Sequence, residues 1–273
     1  MLITKLDSSV ADDSLLRLGE HKINISVPNT GTDMQRSFMF NTNLTTNSPV
    51  RTTDGHFYGD SGHAVDRGTE TEIPYNTPAL LFFDASTKNV IIGNKYNITK
   101  FVWNLSDGAD IGDGSDLLWN KEGFTHWETY AAHVDLDMSE LESLSSLATL
   151  KCQSTGLVGD IVHLPASITN LAVAGSGVEG SFASLATKVN LTNVEIQNTA
   201  ISGELIDLAP LTKATRILLQ GTALTGVSTP QDLADAMFVA GRTSGTLNLV
   251  LPNGIGWTLT FTNSGGTATQ NPI

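Results

Sequence analysis

Leu150-Lys-Cys152-Gln-Ser-Thr155-Gly-Leu157-Val-Gly159-Asp-Ile161 decides the fold, because the same pattern returns three times. Leu171-Ala-Val173-Ala-Gly-Ser176-Gly-Val178-Glu-Gly180-Ser-Phe182 begins 21 residues later, and Val194-Glu-Ile196-Gln-Asn-Thr199-Ala-Ile201-Ser-Gly203-Glu-Leu205 begins 23 after that. Ile217-Leu-Leu219-Gln-Gly-Thr222-Ala-Leu224-Thr-Gly226 follows at a further step of 23. Apolar side chains at the first and third positions share one face of a short strand, since side chains alternate along a strand. A hydroxyl at the sixth position, an aliphatic at the eighth and a Gly at the tenth complete the unit. Another apolar residue stands three before each unit, at Leu147, Ile168, Leu191 and Ala214. A period of this length is the mark of a solenoid. No unit is stable alone, because ordering each residue costs about 1–2 kcal/mol while each buried aliphatic returns roughly 1.5–3 kcal/mol. The coils must therefore stack.

Working upstream, Trp127-Glu-Thr129-Tyr-Ala-Ala132-His-Val134 lies 23 residues before Leu150 and has the same apolar face, with Leu136 where a Gly is expected. It reads as an atypical first coil. Downstream, Thr229-Pro230-Gln231-Asp232 carries helix-start signals, and Leu233, Ala236, Met237 and Ala240 follow at helical spacing up to Gly241. Alternation over Thr246–Leu251 and Trp257–Phe261 predicts two strands, so a helix and a hairpin seal the end.

Residues 141–227 resemble the leucine-rich-repeat family, in the version whose strand is followed by Leu-x-Gly-x-Ile/Leu. The family's Asn at the sixth position is replaced by Thr155, Ser176, Thr199 and Thr222. In the family that Asn ladder bonds the turning backbone, and a hydroxyl ladder offers fewer donors for the same work. The resemblance implies an interaction scaffold and no catalytic activity. More broadly, the plan of the chain resembles repeat proteins of gut bacteria and the tailed phages that infect them. That implies a virion surface component, such as a head decoration, head fibre or tail appendage, with a bacterial surface adhesin as the alternative.

Outside the repeat, residues 1–126 read as short strands at 22–27, 37–40, 79–83, 89–92 and 98–105 between turn signals. A Thr-, Asn-, Gly- and Asp-rich stretch at 41–77 reads as a long irregular loop. The expected fold is mostly β with few helices. It consists of an amino-terminal arm and β-domain over 1–126, a parallel-sheet solenoid over 127–227, and capping helix and strands over 228–273.

Acidic residues outnumber basic ones 28 to 15, a formal charge of −13, and no basic cluster interrupts the excess, so nucleic acid is excluded as a partner. The absence of a long apolar run argues against membrane insertion, and the amino terminus has no signal-peptide pattern. Synthesis in a host cytoplasm followed by incorporation into a particle is the expectation, with the cell surface as the alternative. A protein or glycan partner is expected, with a homo-oligomer as a further option. The single Cys152 rules out an internal disulfide and, as the counterpart of Val173, Ile196 and Leu219, reads as a core residue.

Three candidate sites remain. On the sheet face, the second, fourth and fifth positions of each unit point away from the core. Lys151, Gln153, Glu195, Gln197, Asn198 and Gln220 are the binding candidates there, on a face that reads as small, amide-rich and nearly uncharged. Asp107, Asp110, Asp113 and Asp116 cluster with Ser115, and five oxygen-bearing side chains within ten residues suit Ca²⁺, which takes six to eight oxygens. At 54–66, Gly59-Asp60-Ser61-Gly62 with His56 and His63 is similar to the nucleophile segment of chymotrypsin-like proteases. However, too few residues precede it for that family's order, so an ordinary turn is the preferred reading over a hydrolase.

Overall fold

The computed structural model describes the backbone of 21–25, 36–42, 48–51, 57–58, 66–68, 70–73, 79–83, 89–92, 98–103, 109–118 and 120–272. Side chains are described for 98–103, 110–115, 117–118 and 120–272. The described chain is mostly β with few helices, and its parallel sheets resemble a leucine-rich-repeat solenoid. The first sheet runs in parallel through Ile98–Trp103, His126–Tyr130, Thr149–Gln153, Asn170–Ala172, Asn193–Glu195, Arg216–Leu218 and Gly245–Val250. The register is the one that the repeat dictates: Trp127 pairs with Leu150, Leu150 with Leu171, Leu171 with Val194, and Val194 with Ile217. Leu150, Cys152, Leu171, Val173, Val194, Ile196, Ile217 and Leu219 are all fully buried, and so are Leu147, Ile168, Leu191 and Ala214 behind them.

The eighth-to-eleventh positions, which the repeat pattern marks only by an aliphatic and a Gly, form a second parallel ladder. Ala109–Asp113, His133–Asp137, Leu157–Asp160, Gly177–Ser181, Ala200–Gly203 and Ala223–Leu224 pair in that order. Between the two sheets the fifth residue of each coil adopts a left-handed conformation: Ala131, Ser154, Gly175, Asn198 and Gly221 have φ of 49, 55, 67, 53 and 72°. This turns the chain from one sheet into the other, and the turn itself is stacked. The fifth-position N–H of each coil donates to the fourth-position carbonyl of the next: Ser154 to Ala174 at 2.8 Å, Gly175 to Gln197 at 2.8 Å and Asn198 to Gln220 at 2.8 Å. The sixth-position hydroxyls do not form a ladder between coils. Thr155, Ser176, Thr199 and Thr222 donate to the carbonyls of Cys152, Val173, Ile196 and Leu219 in their own coils, at 3.0, 2.6, 2.8 and 2.7 Å. Each hydroxyl thus closes its own turn, while the backbone joins the coils.

The eleventh position then starts a short helix. Asp137, Asp160 and Ser181 accept from the N–H groups of Ser139, Val162 and Ser184 at 2.8, 2.8 and 3.1 Å, as capping residues do. The twelfth-position Met138, Ile161, Phe182 and Leu205 bury themselves behind the cap. Gly at the tenth position is needed for close approach of adjacent coils. A Cβ on Gly180 (φ +119°) would lie 2.5 Å from Asp160 Oδ1 and 2.9 Å from Ile161 Cγ2 of the preceding coil.

Both sheets continue upstream. Ile98–Trp103 places Phe101 beside Trp127, and Arg36–Thr42 pairs antiparallel with Ile98–Trp103, so the parallel ladder starts before the atypical Trp127 coil. His21–Ile25 adds antiparallel to Ala109–Asp113 in the second sheet. Inside the stretch read as irregular, Ser48–Arg51, Phe57–Tyr58, Asp66–Gly68 and Glu70–Ile73 are strands. Segments of two to four residues hold at most two periods of alternation, too few to stand out as strands in a polar stretch.

The carboxyl end closes the stack differently from a simple hairpin. Gly245–Val250 is itself a rung of the first sheet, with Leu249 beside Ile217, and Gly256–Thr262 and Gly265–Gln270 extend it antiparallel. The helix Pro230–Val239, capped by Thr229 and Asp232, lies across this end. Buried Arg242 plugs it. Its guanidinium donates to the carbonyls of Ala214 and Thr246 and lies 4.4 Å from the ring centre of Phe261. From the helix, Gln231 reaches the outer edge of the last strand like a short piece of neighbouring strand. Its Nε2 donates to the Gly266 carbonyl at 3.0 Å, and its Oε1 accepts from the Ala268 N–H at 3.0 Å. An open strand edge is a template for association, and this amide covers part of it.

Candidate functional site

The outer face of the first sheet is the candidate surface. Adjacent strands about 4.8 Å apart make a row of seven about 29 Å long. Side chains point outward from the residue before each unit, from its second position and from its fourth. The fifth position belongs to the left-handed turn, so Ser154 and Asn198 stand at the rim, exposed, and not on the face as expected. The residue before each unit takes its place: Lys100, His126, Thr149, Asn170, Asn193, Arg216 and Asn248 lie in register across the strands.

That shift corrects the expected character of the face, because it brings in charge. Arg216 stands 3.0 Å from Glu195, whose two oxygens also accept from Asn193 Nδ2 at 3.1 Å and Gln153 Nε2 at 3.2 Å. The contact from Gln153 spans two coils. It passes over Ala172 and Ala174, whose short side chains leave the way open. Lys151 Nζ and His126 Nε2 approach Glu128 Oε2 at 3.1 and 3.2 Å. Burial pushes the Glu128 carboxyl up, but the hydrogen bond and charge of Lys151, aided by His126, hold it below its ordinary range. Burial, joined by the Lys100 ammonium, holds His126 below its ordinary value, so the imidazole is neutral at pH 7.

Among the six sequence candidates, Lys151, Gln153 and Glu195 are thus bonded along the face, Lys151 through one of its three ammonium donors. Gln197 and Gln220 are not. Each leaves its Oε1 buried without a hydrogen-bond partner, in neighbouring coils just beyond the strands Asn193–Glu195 and Arg216–Leu218. Buried side-chain acceptors are normally satisfied, so these two amides are the face's unmet bonding capacity.

Of the Ca²⁺ candidates, Asp107 and the Asp116 side chain lie outside the described residues. Asp110 Oδ1 accepts from the Gly112 N–H and stands 3.0 Å from His133 Nδ1, and Asp113 Oδ1 caps the Ser115 N–H at 2.9 Å. Among the described residues no three His, Cys, Asp or Glu side chains gather as metal ligands do. His56, Asp60, Ser61 and His63 of the 54–66 segment also lie outside the described residues. Cys152 is fully buried and accepts from Thr129 Oγ1 at 3.6 Å, and burial pushes its thiol up to about 12. Among the described residues no helix is long and apolar enough to cross a membrane.

Fold and face define the chain as a short parallel-sheet solenoid that resembles leucine-rich-repeat proteins in its sheets. No protein-family model and no curated protein matches the sequence. An internalin from Listeria monocytogenes is similar over 52% of this chain and 38% of its own, with TM-score 0.38 and 17% identity. A TDR receptor is similar over 51% of this chain and 24% of its own, with TM-score 0.39 and 21% identity. The chain therefore spans less than half the length of either protein.

Proposed function

We propose that this chain is a non-catalytic interaction protein that presents the outer face of its first sheet to a protein partner. The observation that carries this reading is the pair of buried, unpartnered amide oxygens of Gln197 and Gln220. They sit on a face where Gln153, Asn193, Glu195 and Arg216, and likewise His126, Glu128 and Lys151, are tied to one another, and rotating either amide outward offers its unmet oxygen to a partner's donor. The resemblance of the overall sequence plan to phage and gut-bacterial repeat proteins supports a place on a virion surface, and mass spectrometry of purified particles tests that location. For the face itself, the test compares proteins retained by immobilised wild type and by a Gln153→Glu, Gln197→Glu, Gln220→Glu variant. A partner held by the wild type and lost from the folded triple variant supports the reading. Equal retention overturns it.

A further inference from the structure

At the amino-terminal end of the face, cations converge. Lys100 and His126 are paired neighbours on adjacent strands, and Glu128 pairs in the same way with Lys151 on the next. Lys151 and His126 share the single Glu128 carboxylate. Among the described residues Lys100 has no carboxylate partner. With His126 neutral, the formal balance here among the described residues is Lys100 and Lys151 against Glu128, a local excess of one positive charge in a chain of formal charge −13. Two strand spacings of about 4.8 Å and two residues of about 3.3 Å separate the two lysines by about 12 Å at Cα. Both stems can therefore reach one point between them.

Next to this corner stands Tyr130, on the same outward row as His126 and Glu128. It is 48% exposed, and it is the one aromatic residue among the exposed large hydrophobics of the described residues. Tyr130 pairs with Gln153 and so stands diagonal to Lys151, where its ring adds an apolar surface to the charge of that ammonium, as aromatic residues do at binding hot spots.

We propose that this corner takes an acidic peptide segment of a protein partner, with one carboxylate held between Lys100 and Lys151 and an adjoining residue of the peptide on the Tyr130 ring. The proposal rests on the reading of this face as an interaction surface and names the chemistry at one end of it. The chain's overall acidity does not oppose it at close range. At physiological salt, charges more than about 8 Å away are largely screened, whereas a contact pair is not.

The test uses the full chain and a glutamate hexapeptide as probe, with a glutamine hexapeptide and an oligogalacturonate of equal charge as comparisons, by calorimetry at low and at physiological salt. The glutamate peptide binds, more weakly as salt rises, and the glutamine peptide does not. A Lys100→Gln, Lys151→Gln variant with unchanged thermal unfolding loses about fivefold or more in affinity, and Lys→Arg at both positions restores it. Failure of the glutamate peptide to bind, or indifference to the double variant, overturns the proposal. Tighter binding of the oligogalacturonate also overturns it, in favour of an acidic glycan. If a natural partner is lost on changing Gln197 and Gln220 but unaffected at Lys100 and Lys151, only this corner is refuted and the wider reading stands.

Discussion

Replacing Gln197 and Gln220 together with Met separates a binding role for these amides from a structural one. Each glutamine holds Oε1 out of solvent with no partner, and an unsatisfied buried acceptor costs about 1–3 kcal/mol. Met has a similar unbranched length, so the stems keep their packing while the orphan oxygens vanish. Taking the low end of that range, each substitution stabilises the free protein by about 1 kcal/mol, or about 2 kcal/mol for the pair. Because the residues sit at the same position of adjacent coils, the two singles and the double must be measured as a cycle. For a folded unit of this size each kcal/mol moves the midpoint by about 2–4 °C, so scanning calorimetry of the double variant shows a rise of about 4–8 °C. Retention of the partner falls in the same variant. A drop in midpoint would refute the reasoning, since it means that the amides hold the sheet together and are not poised for an external donor.

Cys152 does not react with a thiol reagent at pH 8 in the native protein, and one thiol per chain reacts after denaturation. A thiol raised to about 12 is almost wholly protonated at that pH, and the side chain is fully buried; rapid native labelling contradicts the register. Gly180→Ala lowers stability by about 1–3 kcal/mol in urea unfolding, because φ +119° and the Asp160 carboxylate both oppose a methyl group; a neutral result means that the coils sit further apart. Gln231→Ala exposes the edge at Gly266 and Ala268, so concentration-dependent self-association is expected in analytical ultracentrifugation, and a variant that sediments as the wild type at every concentration removes that role from Gln231.

How much of this was legible in the sequence depends on distance along the chain. The first-sheet register was readable because Leu150, Leu171, Val194 and Ile217 recur with their neighbours at nearly constant steps. The caps at Asp137, Asp160 and Ser181 also carried a signal, a polar helix-starting residue one place after the Gly position, but the reading stopped at the Gly. The earlier rung at Phe101 lies 26 residues before Trp127, outside the 21–23 spacing, so its segment reads as one more short strand of the amino-terminal β-domain. The charge on the face was misjudged because Arg216 and His126 precede the apolar positions and look like loop residues until strand pairing places them. The bridge from Gln153 to Glu195 depends on the gap left by alanines on the intervening coil, and the Gln231 and Arg242 contacts depend on how a helix docks against distant strands. No local pattern encodes these.

The central claim is that the coils are joined through their turns into one rigid face. Residue-resolved hydrogen exchange tests it most directly at Ser154, Gly175 and Asn198, which are exposed turn residues whose N–H groups nevertheless bond to the next coil at 2.8 Å. The account predicts that these three amides are protected about as strongly as those of Val173 and Ile196 in the buried strand positions. Exchange at the rate of an open loop would show that the coils are not stacked at their turns, and the face built on them would lose its foundation.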